Sequence, residues 1–89
     1  MIRRAARVDA NQAQVISALR AAGAYVYIIS LPVDLLVGYK GKTYLVEIKD
    51  GPKKTLTRLQ QDFFGNWCGG GLHRINNADE ALNMIGLVK

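Results

Sequence analysis

The segment Asp34-Leu-Leu-Val-Gly-Tyr-Lys-Gly-Lys-Thr-Tyr-Leu-Val-Glu47-Ile-Lys49 sets acids and a lysine in sequence that otherwise reads as paired β-strands. Leu, Val, Ile and Tyr fill both arms, and Lys40-Gly41 supplies a turn in which glycine accepts positive φ. With those two residues as the loop, the register that sets Tyr39 against Lys42 also sets Asp34 against Glu47. Directly opposed residues share a face, with β-carbons roughly 4.5–5.5 Å apart. Lys49 lies two residues beyond Glu47 and shares that face. One end of the hairpin therefore gathers two acids and a base, which suits a divalent cation.

The rest of the chain supplies a frame for this hairpin. Asp9-Ala-Asn-Gln12 has the form of a capping box, with Asp9 as N-cap. Val15, Leu19 and Ala22, flanked by Ile16 and Ala18, then make a helical stripe that ends at Gly23. Tyr25 to Leu31 reads as a strand, Pro32 punctuates the entry to the hairpin, and the arms cover 33–39 and 42–49. Asp50-Gly51-Pro52 is turn chemistry. Thr55 or Thr57 caps a second helix reaching about Cys68, whose apolar side is Leu59, Phe63, Phe64 and Trp67. Gly69-Gly70-Gly71 stops it. Leu72 to Ile75 is a short strand, and Asn77-Ala-Asp-Glu80 boxes a last helix bearing Ala81, Leu82 and Ile85, ended by Gly86. The expected order is α-β-β-β-α-β-α in an α/β (α+β) fold. The strand–helix–strand succession implies a right-handed crossover, so the last strand runs parallel to a hairpin strand in a mixed sheet flanked by helices.

Bulk properties bound the function. With 89 residues, 49% of them hydrophobic, the chain is expected to form one domain over residues 1–89. A domain this small buries only around two-thirds of its unfolded surface, so dimerisation would help its core. Cys68 is the single cysteine, which excludes an internal disulfide and fits a reducing compartment. No apolar run approaches the roughly 20 residues of a membrane span, and no signal-peptide core precedes the first helix. The expectation is a cytoplasmic protein with no membrane association. A formal net charge of +5 favours a polyanionic partner. Arg3, Arg4 and Arg7 crowd one stretch, while Lys49, Lys53, Lys54 and Arg58 follow the acidic hairpin. Solvated surface charge is the competing account, but the second cluster adjoins the acids, which favours phosphate binding.

Carboxylates among Leu36, Leu45, Val46 and Ile48 are costly to bury unless paired or metal-bound. One account is a salt bridge of Lys49 with Asp34 or Glu47 at an exposed strand end. The other is a metal site, because Mg²⁺ takes carboxylate, carbonyl and water oxygens, and the Ile48 carbonyl lies between Glu47 and Lys49. A metal held there lowers the pKa of a bound water and neutralises phosphate charge. Lys49 is placed to hold or deprotonate that water, or to stabilise a pentavalent transition state.

Asp34 with Glu47-Ile-Lys49 resembles the D…ExK core of PD-(D/E)XK nucleases. The Asp9-Ala-Asn-Gln12 helix before it and the Thr57-x-x-Gln60 helix after it are similar to the VRR-NUC group, which includes small standalone bacteriophage proteins. The likeness runs from about Arg7 to Gly86. It implies a restriction-endonuclease-like core and a DNA endonuclease using Mg²⁺ or Mn²⁺. By the same resemblance Asp34 and Glu47 are metal ligands with the Ile48 carbonyl, and Lys49 is the catalytic lysine. Asp9 matches a family acid that binds metal directly or through water, and Gln60 matches a glutamine that supports the site or touches DNA. As residues alone, Asp9 is equally an N-cap, Gln60 a helix-surface amide with Gln61 as competitor, and Gln12 the capping partner of Asp9. Lys53, Lys54, Arg58, Arg3, Arg4 and Arg7 are the expected DNA contacts. Standalone members resemble homodimers of the resolvase kind, which implies branched or four-way DNA as substrate.

The chain departs from the family pattern in one respect: Val33 stands between Pro32 and Asp34, where proline usually precedes the acid directly. His73 has no companion at metal-ligand spacing, Cys68 has no neighbouring histidine, and Gly69–Gly71 lacks the GK[ST] of a phosphate loop. Trp67 and Phe63 are read as core or dimer contacts. A non-catalytic DNA-binding or regulatory protein on the same fold is the competing function class.

Overall fold

The computed structural model describes residues 10–49 and 56–87. Arg3, Arg4, Arg7, Asp9, Lys53 and Lys54, all named above, lie outside the described residues. The elements are α1 (Ala10–Ala21), β1 (Tyr25–Ile28), β2 (Leu35–Tyr39), β3 (Lys42–Ile48), α2 (Arg58–Asn66), β4 (Leu72–Ile75) and α3 (Ala78–Met84), in the expected order. They form a small mixed α+β domain. One four-stranded sheet runs β1-β2-β3-β4, antiparallel across its first three strands and parallel between β3 and β4.

The hairpin register is the expected one from Tyr39↔Lys42 to Leu35↔Val46. Alternation along the strands sorts the side chains into two faces. Val26, Val37 and Tyr44 form one rung of the inner face, and Leu35, Val46, Ile48 and Ile75 continue it. Against that face pack Val15, Ile16 and Leu19 of α1 with Ala81 of α3 and the following Ile85. Val15, Leu19, Val33, Leu35, Val37 and Val46 are fully buried, each contributing about 1.5–3 kcal/mol of transfer free energy. Gly23, at φ +100, ends α1, and the Ala24 amide donates to the Leu19 carbonyl at 3.0 Å, a glycine-terminated cap.

Several boundaries differ from expectation, each for a local reason. β1 stops at Ile28 rather than Leu31, because the Ile29 and Ser30 amides both turn to the Asp34 carbonyl, at 2.9 and 3.2 Å. Ser30 there takes a φ of +70, and the Leu31–Pro32 peptide is cis. α2 stops at Asn66 rather than near Cys68, as Trp67 turns extended while its amide still donates to Phe63 at 2.9 Å. At α3 the box is displaced by one residue: Asn77 accepts from the Glu80 amide, but Glu80 Oε1 reaches the Asn76 amide at 2.7 Å. Gly71 is required where the crossover rejoins the sheet. Its φ is +71, and a β-carbon would stand 2.3 Å from the Thr43 carbonyl oxygen.

The outer face of the sheet carries Tyr27, Leu36, Leu45 and Leu72 in one aligned row across the strands. Tyr25 and Tyr27 on that face are exposed. Helix α2 buries none of its residues, and Leu59 is 76% exposed. Its rings pack along the helix instead, Phe63 lying 6.3 Å from Phe64 and 5.3 Å from Trp67. The apolar side of this helix therefore does not join the core.

Candidate metal centre

Val46 and Ile48 face the core, so strand alternation sends Glu47, between them, to the outer face. It is nevertheless only 2% exposed. Lys49 and Gln60 close over it: Lys49 Nζ lies 3.2 Å from Oε2, and Gln60 Nε2 donates to the same oxygen at 2.7 Å. Glu47 Oε1 is buried with no hydrogen-bond partner among the described residues. Burial, followed by the negative charge of Asp34, raises the Glu47 pKa above its ordinary 4.5; Lys49 and Gln60 oppose this without cancelling it.

Asp34 corrects one expectation. The ladder ends at Leu35↔Val46, so Asp34 is not set directly against Glu47. Its amide donates to the Val46 carbonyl at 3.1 Å, and its Oδ2 accepts from the Ile48 amide at 2.8 Å. A regular next rung would give the Ile48 amide to the backbone of Val33. The chain instead enters β2 from the Ser30–Pro32 turn, and Val33 is drawn wholly into the interior. The Asp34 carboxylate takes over the missing backbone acceptor. Val33 is thus accommodated as a core residue, and Asp34 still arrives beside β3.

A β-residue's N–H and C=O point to the same side of its strand. The Ile48 carbonyl therefore lies on the side of Asp34, past the last rung of the ladder. Two carboxylates and this carbonyl make a hard-oxygen donor set of the kind Mg²⁺ and Mn²⁺ accept. The unpartnered Glu47 Oε1 fits a cation, since a buried anionic oxygen with no donor is otherwise costly. No cluster of three or more His, Cys, Asp or Glu occurs among the described residues. A third ligand of those four types would have to come from outside the described residues, where Asp9 lies.

Gln60 is brought to the site and Gln61 is not, its amide turning back to the Leu56 carbonyl at 3.0 Å. Thr57, not Thr55, is the observed N-cap of α2. Its Oγ1 accepts from the Gln60 amide at 3.2 Å, and its own amide donates to Gln60 Oε1 at 3.1 Å. Arg58, at the exposed start of α2, stands on the helix that delivers Gln60. His73 leans on Tyr44 with ring centroids 5.6 Å apart, on the other face of the sheet from Glu47. Cys68 is exposed.

Two features escaped sequence reasoning. Arg74 pairs with Glu47 in the β3–β4 register and so shares its face; only the register of the parallel crossover could reveal this. An apolar cleft of about 520 Å³ lined by Leu31, Pro32, Thr57, Leu59 and Gln60 adjoins the site. It joins the Leu31–Pro32 segment to the start of α2, and no local pattern announces it. No protein-family model, curated protein or solved structure matches the chain. No helix among the described residues is long and apolar enough to cross a membrane.

Proposed function

We propose that this chain is a divalent-metal-dependent DNA endonuclease on a restriction-endonuclease-like core. The observation that carries the reading is Glu47: an almost fully buried carboxylate with one oxygen anchored by Lys49 and Gln60 and the other without a hydrogen-bond partner among the described residues. Asp34 and the Ile48 carbonyl lie on the adjoining side of β3 and complete a donor set for Mg²⁺ or Mn²⁺. Such an ion, when bound, supplies a water of lowered pKa and offsets charge on the phosphate. The protein residues do the remaining work. Glu47 and Asp34 supply the carboxylate donors, and Gln60 engages Oε2, so that Oε1 keeps its lone pairs for the ion. Lys49, still partly exposed beside Oε2, holds the attacking water or balances charge at phosphorus.

The net charge of +5 draws the protein to DNA. Arg74 stands opposite Glu47 and Arg58 opens the helix that carries Gln60; Arg3, Arg4, Arg7, Lys53 and Lys54, outside the described residues, are the further cations the sequence offers to DNA. The uncovered α2 and the apolar row of the outer face suit a homodimer, whose two-fold symmetry presents equivalent sites to branched or four-way DNA. A cleavage panel of duplex, flap, splayed and four-way DNA with Mg²⁺ or Mn²⁺ tests this. Cutting that disappears in Glu47→Ala is the expected result, and wild-type cutting in excess EDTA would refute it.

A second reading takes the Lys49–Glu47 ion pair as the resting end point and the protein as a non-catalytic DNA-binding module. It requires that calorimetry detect no Mg²⁺ or Mn²⁺ binding that depends on Asp34 and Glu47.

A further inference from the structure

Gln60 is a primary amide, and either of its ends is sterically able to face Glu47. Only the –NH₂ end stabilises a carboxylate; the oxygen would repel it. What decides between the two ends is the start of α2. The Thr57 amide donates to Gln60 Oε1 at 3.1 Å, which occupies the oxygen and turns Nε2 outward to Glu47 Oε2 at 2.7 Å. The Thr57 hydroxyl meanwhile accepts from the Gln60 amide at 3.2 Å, which holds the turn that makes the first contact possible. Because α2 buries none of its residues, no core contact of its own sets the helix in place. The hydrogen bond from Gln60 to Glu47 does so in part.

We propose that Thr57 is a positioning residue of the metal centre: through the capping box it fixes which end of the Gln60 carboxamide meets Glu47, and so which Glu47 oxygen is left for the cation. The proposal rests on the nuclease reading for its consequence, but not for its geometry. Groups that orient a metal ligand typically cost 10–100-fold in affinity or activity when removed. Thr57 acts one bond further out, so the lower end of that range applies, roughly 10-fold.

The test uses the full chain with Thr57→Val, which keeps the shape and loses the hydroxyl, and Thr57→Ser, which keeps the hydroxyl. Gln60→Glu is the third variant: it retains a capping-box residue and replaces the donated N–H by a carboxylate oxygen. The first readout is the Gln60 side-chain amide in ¹⁵N-resolved NMR, without metal. In wild type and Thr57→Ser its two protons are expected to be dispersed and slow to exchange, and in Thr57→Val averaged and fast. The second readout is Mn²⁺ affinity by calorimetry, expected to fall roughly 10-fold in Thr57→Val, to recover in Thr57→Ser and to be lost in Gln60→Glu. In cleavage, kcat at fixed Mn²⁺ should fall while KM for DNA holds. An ordered Gln60 amide in Thr57→Val overturns the proposal, as does equal damage in Thr57→Ser. Absence of Mn²⁺ binding in the wild type would instead defeat the nuclease reading, leaving the NMR result to judge the positioning role.

Discussion

Asp34 has one observed role, as a hydrogen-bond acceptor, and one proposed role, as a metal ligand, and substitution can separate them. Its Oδ2 accepts the Ile48 amide at 2.8 Å, and Ile48 is 2% exposed, so water cannot readily replace that acceptor. Asp34→Ala leaves a buried N–H unsatisfied, at a cost of about 1–3 kcal/mol. Taking the middle, about 2 kcal/mol, the melting temperature should fall by roughly 8–16 °C for a domain of this size. Asp34→Asn keeps an oxygen for the same amide. It weakens that bond by about 1 kcal/mol through loss of charge, but also removes the Asp34 repulsion that disfavours ionised Glu47. Its stability in EDTA should therefore lie within about 1 kcal/mol of wild type. The two variants should converge in their response to metal. Mn²⁺ at a hundredfold excess over Kd stabilises a competent site by about 2.7 kcal/mol, and neither variant should show that gain. Thermal melts of the wild type and both variants, each in EDTA and in Mn²⁺, measure all of this. Equal loss in EDTA for Asp34→Asn and Asp34→Ala would refute the acceptor role. A full Mn²⁺ shift in Asp34→Asn would refute the ligand role.

Other outcomes follow from the same geometry. Glu47 has its pKa raised in the folded state, so the native protein holds that proton more tightly than the unfolded chain. Its contribution is present below the ordinary 4.5 and is lost as pH rises through the raised folded value; metal-free stability should fall across that window. Glu47→Gln should flatten this slope in denaturant titrations at several pH values, and should leave the metal-free protein at neutral pH at least as stable as wild type. Lys49→Met should cut cleavage by about 100-fold or more while the Mn²⁺-induced melting shift persists; a vanished shift would make Lys49 a structural partner of Glu47 instead. Gly71→Ala forces a β-carbon to 2.3 Å from the Thr43 carbonyl at φ +71. It should cost about 2–4 kcal/mol in urea denaturation, combining backbone strain with a steric shift.

The sequence by itself determined what depends on neighbours along the chain. Alternation of apolar residues and the Lys40-Gly41 turn set the β2–β3 register, because a one-residue slip would turn Val37, Leu35 and Val46 away from the core. Gly23 and Gly86, both at positive φ, end α1 and the α3 turn where the pattern places them. Glu47 and Lys49 fall on one face for the same two-residue reason. Only the tertiary structure decided what depends on how separate segments meet. The Ser30–Pro32 turn lifts Asp34 out of the ladder and gives its carboxylate the Ile48 amide. The crossover sets Arg74 beside Glu47 and selects Gln60 over Gln61. It also leaves α2 without a buried residue, although its sequence is that of an amphipathic helix. The raised pKa of Glu47, and the burial of its Oε1 with no hydrogen-bond partner among the described residues, belong to this second group. Desolvation is a property of everything packed around an atom, and no spacing of residues along a strand states which carboxylate oxygen will meet a donor.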